Sequence, residues 1–339
     1  MSYTVRIADS DVVFTCEAGQ NVLDAALRAN IELPYSCRKG VCGSCAGGVV
    51  EGQVTGVGSA AIQNEVCLND DVLYCMSAPT SDLVLHPAAW KRQDPSARKR
   101  FITKVYRNHL AAPDVSILQL RLPVGQRAKF HAGQYLQLEL DDGSKRCYSM
   151  ANAPYESDSV TLHIRHVAGG RFSGQVQQLQ PGTVVCIELP FGGSTLHEES
   201  TGPLIFVAGG TGFAPVKSIL DDMLRRRIQR SITLIWGARE WQGLYWRAAV
   251  QGWQKQWPDF RFIPALSGGS TGASSDAFAG RVDDALRASF ADLTGHEIYC
   301  CGSPVMVTAV RDAAVRDRGL ASTHFHADVF VPGPAEALP

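Results

Sequence analysis

The stretch Ser36-Cys37-Arg38-Lys39-Gly40-Val41-Cys42-Gly43-Ser44-Cys45, completed by Leu73-Tyr74-Cys75, spaces four cysteines as C-x4-C-x2-C-x29-C. That spacing suits a 2Fe–2S cluster, which needs four thiolates arriving from two directions. A tight loop can supply three of them if its backbone turns sharply, and Gly40 and Gly43 free it to do so. Backbone N–H groups of such a loop then point at the cluster sulfurs and tune them. Cys75 brings the fourth thiolate from a distant strand. A disulfide pair, buried free thiols and a zinc site are the other readings, although zinc usually takes two short C-x-x-C knuckles. Cys37, Cys42, Cys45 and Cys75 are therefore the candidate metal ligands. Cys16, Cys67, Cys147, Cys186 and Cys300 fit no ligand spacing and read as small core residues.

A chain of 339 residues suggests two or three domains at about 150 residues each. Its 45% hydrophobic and 19% charged content is that of a soluble globular protein. A formal net charge of −1 gives no case for nucleic-acid binding. The first residues lack a basic region followed by an apolar run, so no secretory signal is expected. No apolar stretch reaches bilayer length. Ten cysteines, four of them clustered, fit a reducing, cytoplasmic setting. The charge is uneven: residues 1–85 hold four Lys/Arg against ten Asp/Glu. An acidic module on a mildly basic body suggests electrostatic steering, or simply a solvated acidic surface.

The patterning changes twice along the chain. Residues 3–7 and 11–15 read as strands, and 21–30 has helical spacing. Residues 88–100 turn polar and basic, with Pro87 and Pro95, as a linker does. Short strands follow at 101–105, 115–122, 134–140, 160–166 and 184–189, which suggests a small antiparallel barrel or sandwich. After residue 203, strands at 204–208, 231–236, 261–266 and 297–301 alternate with helices at 214–227, 246–257, 283–289 and 304–318. Alternation of this kind implies a parallel sheet covered by helices. Gly268–Ser275 reads as a surface loop.

Three further motifs carry chemistry. Gly209-Gly210-Thr211-Gly212-Phe213-Ala214-Pro215 follows a strand and opens a helix. Glycines there let a pyrophosphate approach the backbone at a helix N-terminus. The motif is not the six-residue dinucleotide fingerprint of ordinary dehydrogenases. In Arg146-Cys147-Tyr148-Ser149, an arginine can neutralise a phosphate, an aromatic can stack on a flavin, and a hydroxyl can reach the flavin N5 edge. Gly170 and Ser173 in Gly169-Gly170-Arg171-Phe172-Ser173 can cradle the remaining phosphate. Cys300-Cys301-Gly302-Ser303-Pro304 sits where a core strand meets a helix, at the crevice end of a parallel sheet. A thiol there can contact a nicotinamide ring.

These residues, in this order, resemble a family: a plant-type 2Fe–2S ferredoxin fused ahead of a ferredoxin–NADP reductase-like module, the reductase components of bacterial oxygenases. The resemblance covers about residues 1–330. It implies a multidomain fold: an α+β β-grasp ferredoxin at 1–90, a linker at 91–100, an antiparallel β-barrel flavin domain at 101–200, an α/β parallel-sheet nucleotide-binding domain at 201–332, and a tail at 333–339. It also implies FAD, NAD(P)H and a terminal Rieske-type oxygenase as partner. The stretches 32–40, 148–152 and 325–330 are similar to the branch whose oxygenases attack terephthalate and other aromatic carboxylates, which implies NADPH.

The resemblance assigns roles residue by residue. Arg146 holds the flavin pyrophosphate and Tyr148 stacks on the ring. Ser149 bonds near N5, and Cys301, with Gly302 and Pro304 of its motif, positions the nicotinamide. Gly209, Gly210, Thr211, Gly212 and Pro215 form the other nicotinamide motif. Members often end in an acidic residue, one residue, then an aromatic near the flavin. Asp328 and Phe330 stand at those positions, with Asp for the usual Glu and residues beyond. In Ile235-Trp236-Gly237-Ala238-Arg239-Glu240, Arg239 can pair with a 2′-phosphate whereas Glu240 can bond a free 2′-hydroxyl. The same domain order serves monooxygenases and deoxysugar synthesis. A redox sensor or simple electron carrier is the reading of another class, and the two nicotinamide motifs argue against it.

Overall fold

The computed structural model describes residues 1–36, 38, 40–57, 71–94, 97–268 and 276–330. Two compact units emerge, Met1–Ala97 and Arg98–Pro339. Among the described residues, no helix is long and apolar enough to cross a membrane.

In the first unit, five strands form one mixed sheet in the order Val13–Glu17, Ser2–Ile7, Leu83–Pro87, Ala46–Glu51, Val72–Leu73. Ser2–Ile7 pairs in parallel with Leu83–Pro87, and its pairing with Val13–Glu17 is antiparallel. Period-two alternation buries Val5, Ile7, Phe14, Cys16, Leu83 and Leu85 on one face. The helix Val22–Arg28 covers that face with Val22, Leu23, Ala25 and Ala26. Asn21 caps it by accepting the Asp24 N–H at 2.8 Å. Cys45 and Cys75 belong to the same apolar cluster, so the core also fixes two of the candidate ligands. Truncating the fully buried Leu23 to alanine removes roughly 2–5 kcal/mol of stability. The 91–100 segment is not wholly irregular: Lys91–Arg92 pairs with Ile31–Glu32, and a strand begins at Lys99.

The second unit opens with a six-stranded antiparallel sheet, ordered Lys145–Ser149, Tyr135–Glu139, Val184–Phe191, Lys99–Ala112, Val115–Arg121, Ser159–Arg165. Met150, one residue past the first edge strand, makes an antiparallel bridge to Leu162 in the last. The two edges therefore meet, and the sheet curls around Leu118, Leu120, Leu136, Leu138, Leu162 and Ile187. Lys145–Ser149 is the strand that periodicity misses: a polar, partly exposed run of KRCYS has no apolar alternation to read.

The rest of this unit is a parallel sheet ordered Phe278–Ala279, Phe260–Leu266, Ile232–Ala238, Leu204–Gly209, Glu297–Gly302, Phe325–Val329. Helices Phe213–Arg226, Arg247–Gln256, Val282–Ser289 and Pro304–Arg311 follow the strands in alternation. The strands from Leu204–Gly209 to Phe278–Ala279 proceed to one side. Glu297–Gly302 then returns to the other side of Leu204–Gly209, so their ends flank the switch point where such sheets bind ligands. Phe213 stacks on the fully buried Trp236 at 3.9 Å between centroids, locking the first helix on the sheet. The last helix is shorter than its spacing suggests, passing at Asp312–Arg316 into a π-helical turn.

Candidate functional site

Three of the four candidate ligands converge in the first unit. Cys42, Cys45 and Cys75 are buried, while Cys37 lies outside the described residues. Arg38, Gly40 and Gly43 have φ of +53°, +75° and +78°, so the loop turns through left-handed positions that favour glycine. Cys45 donates its thiol to Cys75, which raises the Cys45 pKa, with burial adding to the rise. The same bond lowers that of Cys75 against its burial, helped by the Gly40 backbone N–H aimed at the sulfur. Sulfur donors with a backbone N–H directed at one of them suit an iron–sulfur group and no oxygen-liganded ion. Arg38 pairs with Asp24, so its charge is already committed beside the loop. Lys39 and Cys67 lie outside the described residues. Cys16 and Cys300 are buried as expected, but Cys147 is exposed and Cys186 only half-buried, because both sit on outward positions of strands.

In the second unit, Lys145–Ser149 carries the flavin motif into the neighbourhood of the parallel sheet. Ser149 is buried and its Oγ donates to Asp328 Oδ2 at 3.3 Å. Asp328 lies opposite Cys301 in the parallel register, and Cys301 lies opposite Ala208. Burial, then the Asp328 carboxylate, push the Cys301 thiol well up, so it stays protonated at neutral pH. A hydroxyl, a carboxylate and a thiol thus gather at the switch point from three strands. Tyr148 is half-buried, its ring 5.7 Å from that of Phe172, and burial raises its pKa. The Arg146 guanidinium donates to the Lys145 carbonyl at 3.0 Å and pairs with no carboxylate among the described residues. An arginine without a carboxylate partner, beside an aromatic and a buried hydroxyl, is the donor set a flavin phosphate and ring require. In the following turn, Gly170 and Ser173 touch: a Cβ at Gly170 would run into the Ser173 hydroxyl.

The glycine turns have reasons in the chain's own packing. Gly210 has φ +54° and a Cβ there would meet the Arg165 guanidinium at 2.8 Å. At Gly212 it would strike the Cys301 carbonyl, and at Gly209 and Gly302 it would meet Met306 at 2.5 Å. These residues therefore allow the two strand ends and the Met306 side chain to close together. Thr211 is buried in the turn, and Pro215 sits in the first turn of Phe213–Arg226, where a missing N–H costs nothing. Pro304 likewise opens Pro304–Arg311 behind the Ser303 cap, and Phe330 N–H donates to Gly302 O at 2.8 Å. Arg239 and Glu240 are exposed beyond Ile232–Ala238, with Glu240 accepting from Gln242 at 2.9 Å.

Residues outside any motif also enter the site. Arg165 reaches the Gly210 turn while its Nε lies 3.4 Å from Asp114. His163 bonds Tyr245 at 3.0 Å between the two sheets, packed on Phe213 and Trp246. Burial, then nearby Lys217, push His163 down to about 3, so it is neutral at pH 7. Lys217 donates to Ala151 O and Ser218 to Asn152 O, pinning the nucleotide-side helix to the flavin-side sheet.

Residues 5–80 match the 2Fe-2S iron-sulfur cluster binding domain family, 103–195 the oxidoreductase FAD-binding domain family, and 206–312 the oxidoreductase NAD-binding domain family. The chain's redox groups are accordingly a 2Fe–2S cluster, FAD and a pyridine nucleotide. Over 334 residues it is 57% identical to the reductase component 2 of terephthalate 1,2-dioxygenase from Comamonas sp, spanning 98% of this chain and 99% of that one. It is 34% identical over 336 residues to the CDP-6-deoxy-L-threo-D-glycero-4-hexulose-3-dehydrase reductase of Yersinia pseudotuberculosis, again 98% and 99% of the two chains. Among solved structures, a cytochrome P450 reductase from Amycolatopsis is similar with a TM-score of 0.76 at 29% identity, over 97% of this chain and 99% of that one.

Proposed function

The chain belongs to the family of reductases that join a 2Fe–2S ferredoxin domain to FAD- and NAD-binding domains, and from that premise we propose that it is the NADPH-dependent reductase component of a terephthalate-type dioxygenase system. Its partner is a terminal oxygenase of Rieske type, and its setting is the cytoplasm. We divide it into a β-grasp ferredoxin domain at 1–90, a linker at 91–100, a flavin-binding barrel at 101–200, a nucleotide domain at 201–332 and a tail at 333–339. The mixed sheet with one covering helix supports the first assignment, and the bridge from Met150 to Leu162 supports the barrel.

The convergence of Ser149, Asp328 and Cys301 at the switch point carries the catalytic reading. When bound, the flavin would supply hydride acceptance with one-electron release, and the cluster would supply single-electron acceptance. Ser149 offers a hydroxyl held by Asp328, so its orientation is fixed before flavin arrives. Cys301 presents a neutral thiol that packs against a nicotinamide without attacking it. Asp328 accepts the Ser149 hydroxyl and holds it in place. Arg146 neutralises the flavin phosphate, Tyr148 supplies a stacking face, and Gly170 with Ser173 lines the phosphate turn. Gly209, Gly210, Thr211, Gly212 and Pro215 lead the nucleotide into the crevice, with Gly302 and Pro304 on its other wall. Phe330 is tied to Gly302 by its backbone N–H, which holds it for a place near the flavin. Cys37, Cys42, Cys45 and Cys75 ligate the cluster.

Likeness to the Comamonas reductase supports the aromatic-carboxylate partner. Reconstitution with oxygenases for terephthalate, isophthalate and phthalate tests it: NADPH-dependent conversion is expected with terephthalate, and conversion of only the others would refute the assignment. Arg239 is the proposed reader of the 2′-phosphate, and an unchanged NADPH/NADH preference in Arg239→Ala would exclude it.

A further inference from the structure

At the opposite end of the strand that presents Cys301, its first residue, Glu297, is almost fully buried with two histidines around it. Its Oε1 lies 2.9 Å from His326 Nε2 and 3.6 Å from His197 Nδ1. The two imidazole rings are 4.1 Å apart between centroids, and the three donor atoms all lie within 4.8 Å of one another. We propose that His197, Glu297 and His326 form a binding site for one divalent ion of the zinc class, separate from the redox centre.

The donor spacing departs from a closed hydrogen-bond network on the His197 side, while His326 lies within hydrogen-bond reach of the same oxygen. The His197–Glu297 separation is long for a hydrogen bond. It is close to the ~3.3 Å edge expected between two ligands on a tetrahedral zinc with bonds of about 2.0–2.1 Å. The Glu297 carboxylate has outer partners of its own. Arg230 donates to Oε2 at 3.0 Å and is itself anchored on the Gly202 carbonyl at 2.8 Å. Tyr299 donates to Oε1 at 2.9 Å while accepting the His197 backbone N–H at 2.9 Å. Such partners orient metal-binding carboxylates. His197 keeps 53% of its side chain exposed, which gives an ion its entry and a water the fourth position. Ligation through His326 Nε2 takes the tautomer whose proton sits on Nδ1. The ion would tie the segment bearing His197 to two adjacent strands whose other ends carry Cys301 and Asp328.

The test uses the full-length protein with flavin and cluster in place, equilibrated with Zn²⁺ and dialysed, with bound zinc counted and its first shell read by X-ray absorption. One zinc per chain in an all-nitrogen/oxygen shell is expected. His197→Ala and His326→Gln should each weaken it at least about tenfold, the lower end of what loss of even an outer-shell partner costs. Flavin and cluster absorbance report that each variant is folded, and the half-exposed His197→Ala decides alone if His326→Gln is not. Failure of the wild type to retain zinc, retention unchanged by the substitutions, or sulfur in the shell would overturn the proposal.

Discussion

The cysteine loop and the Ser149–Asp328–Cys301 site are assembled by contrasting routes. Cys42 and Cys45 share one turn, with Cys75 brought in by the core that buries Leu73 and Tyr74. Ser149 and Asp328 are 179 residues apart, and they meet only because an edge strand of an antiparallel sheet runs past an edge strand of a parallel one. A local site depends on loop conformation and side-chain identity. A non-local one depends on how two sheets are held together, so damage far from its chemistry should reach it.

Cys75→Ser removes a proposed ligand and should abolish electron delivery to an oxygenase while leaving the NADPH-driven bleaching of flavin at its wild-type rate. Loss of flavin reduction in this variant would mean that the two sites are not separable. In the other region, Ser149→Ala should slow flavin reduction by roughly 10²–10³, as removal of one preorganised donor does, with flavin content nearly unchanged. Equal losses of rate and flavin content would assign Ser149 to binding instead. Gly212→Ala forces a Cβ against the Cys301 carbonyl. It should cost at least about 1–3 kcal/mol of stability in denaturant melts, as overpacking does, and should slow flavin reduction without touching the cluster spectrum.

A pH dependence of stability is also expected in the second unit. His163 is buried neutral, with its pKa pushed from 6.5 down to about 3. Between those values an unfolded chain binds a proton that the folded chain refuses. Stability from this residue is thus full above pH 6.5 and drains away as pH falls toward 3. Glu297, held ionised to about 2 against an ordinary 4.5, adds a second loss as pH falls from 4.5 toward 2. Thermal melts of the second unit should fall steadily from pH 6.5 downward, and His163→Gln should flatten the upper part of that slope. An unchanged slope would show that His163 titrates normally.

The same contrast explains what the sequence discloses. The loop is legible because its ligands, glycines and spacing are contiguous, and the alternation after residue 203 announces the parallel sheet through long apolar strands. The short strands Lys145–Ser149 and Phe325–Val329 are harder to read. Both are five-residue strands at sheet edges; Lys145–Ser149 is partly exposed and held by pairing rather than by apolar alternation, while Phe325–Val329 alternates, burying Phe325, Ala327 and Val329, over too short a run to stand out. Motif likeness, not periodicity, points to Ser149 and Asp328. Arg165, His163, Tyr245 and Met306 carry no motif in this reading, since their relevance is created by packing between elements distant in sequence. The glycines of 209–212 are read correctly as a turn. The structure adds that Gly209 and Gly212 make room for Met306 and the Cys301 carbonyl, a constraint no local pattern encodes.

The central claim is that electrons enter through the non-local site and leave through the local one. Anaerobic stopped-flow mixing of the full-length protein with NADPH, followed at flavin and cluster wavelengths, tests it most directly. Flavin absorbance should bleach first and cluster absorbance after it, with the second phase absent in Cys75→Ser and the first slowed in Ser149→Ala. Cluster bleaching that precedes flavin bleaching, or that survives at full rate in Ser149→Ala, would contradict the account.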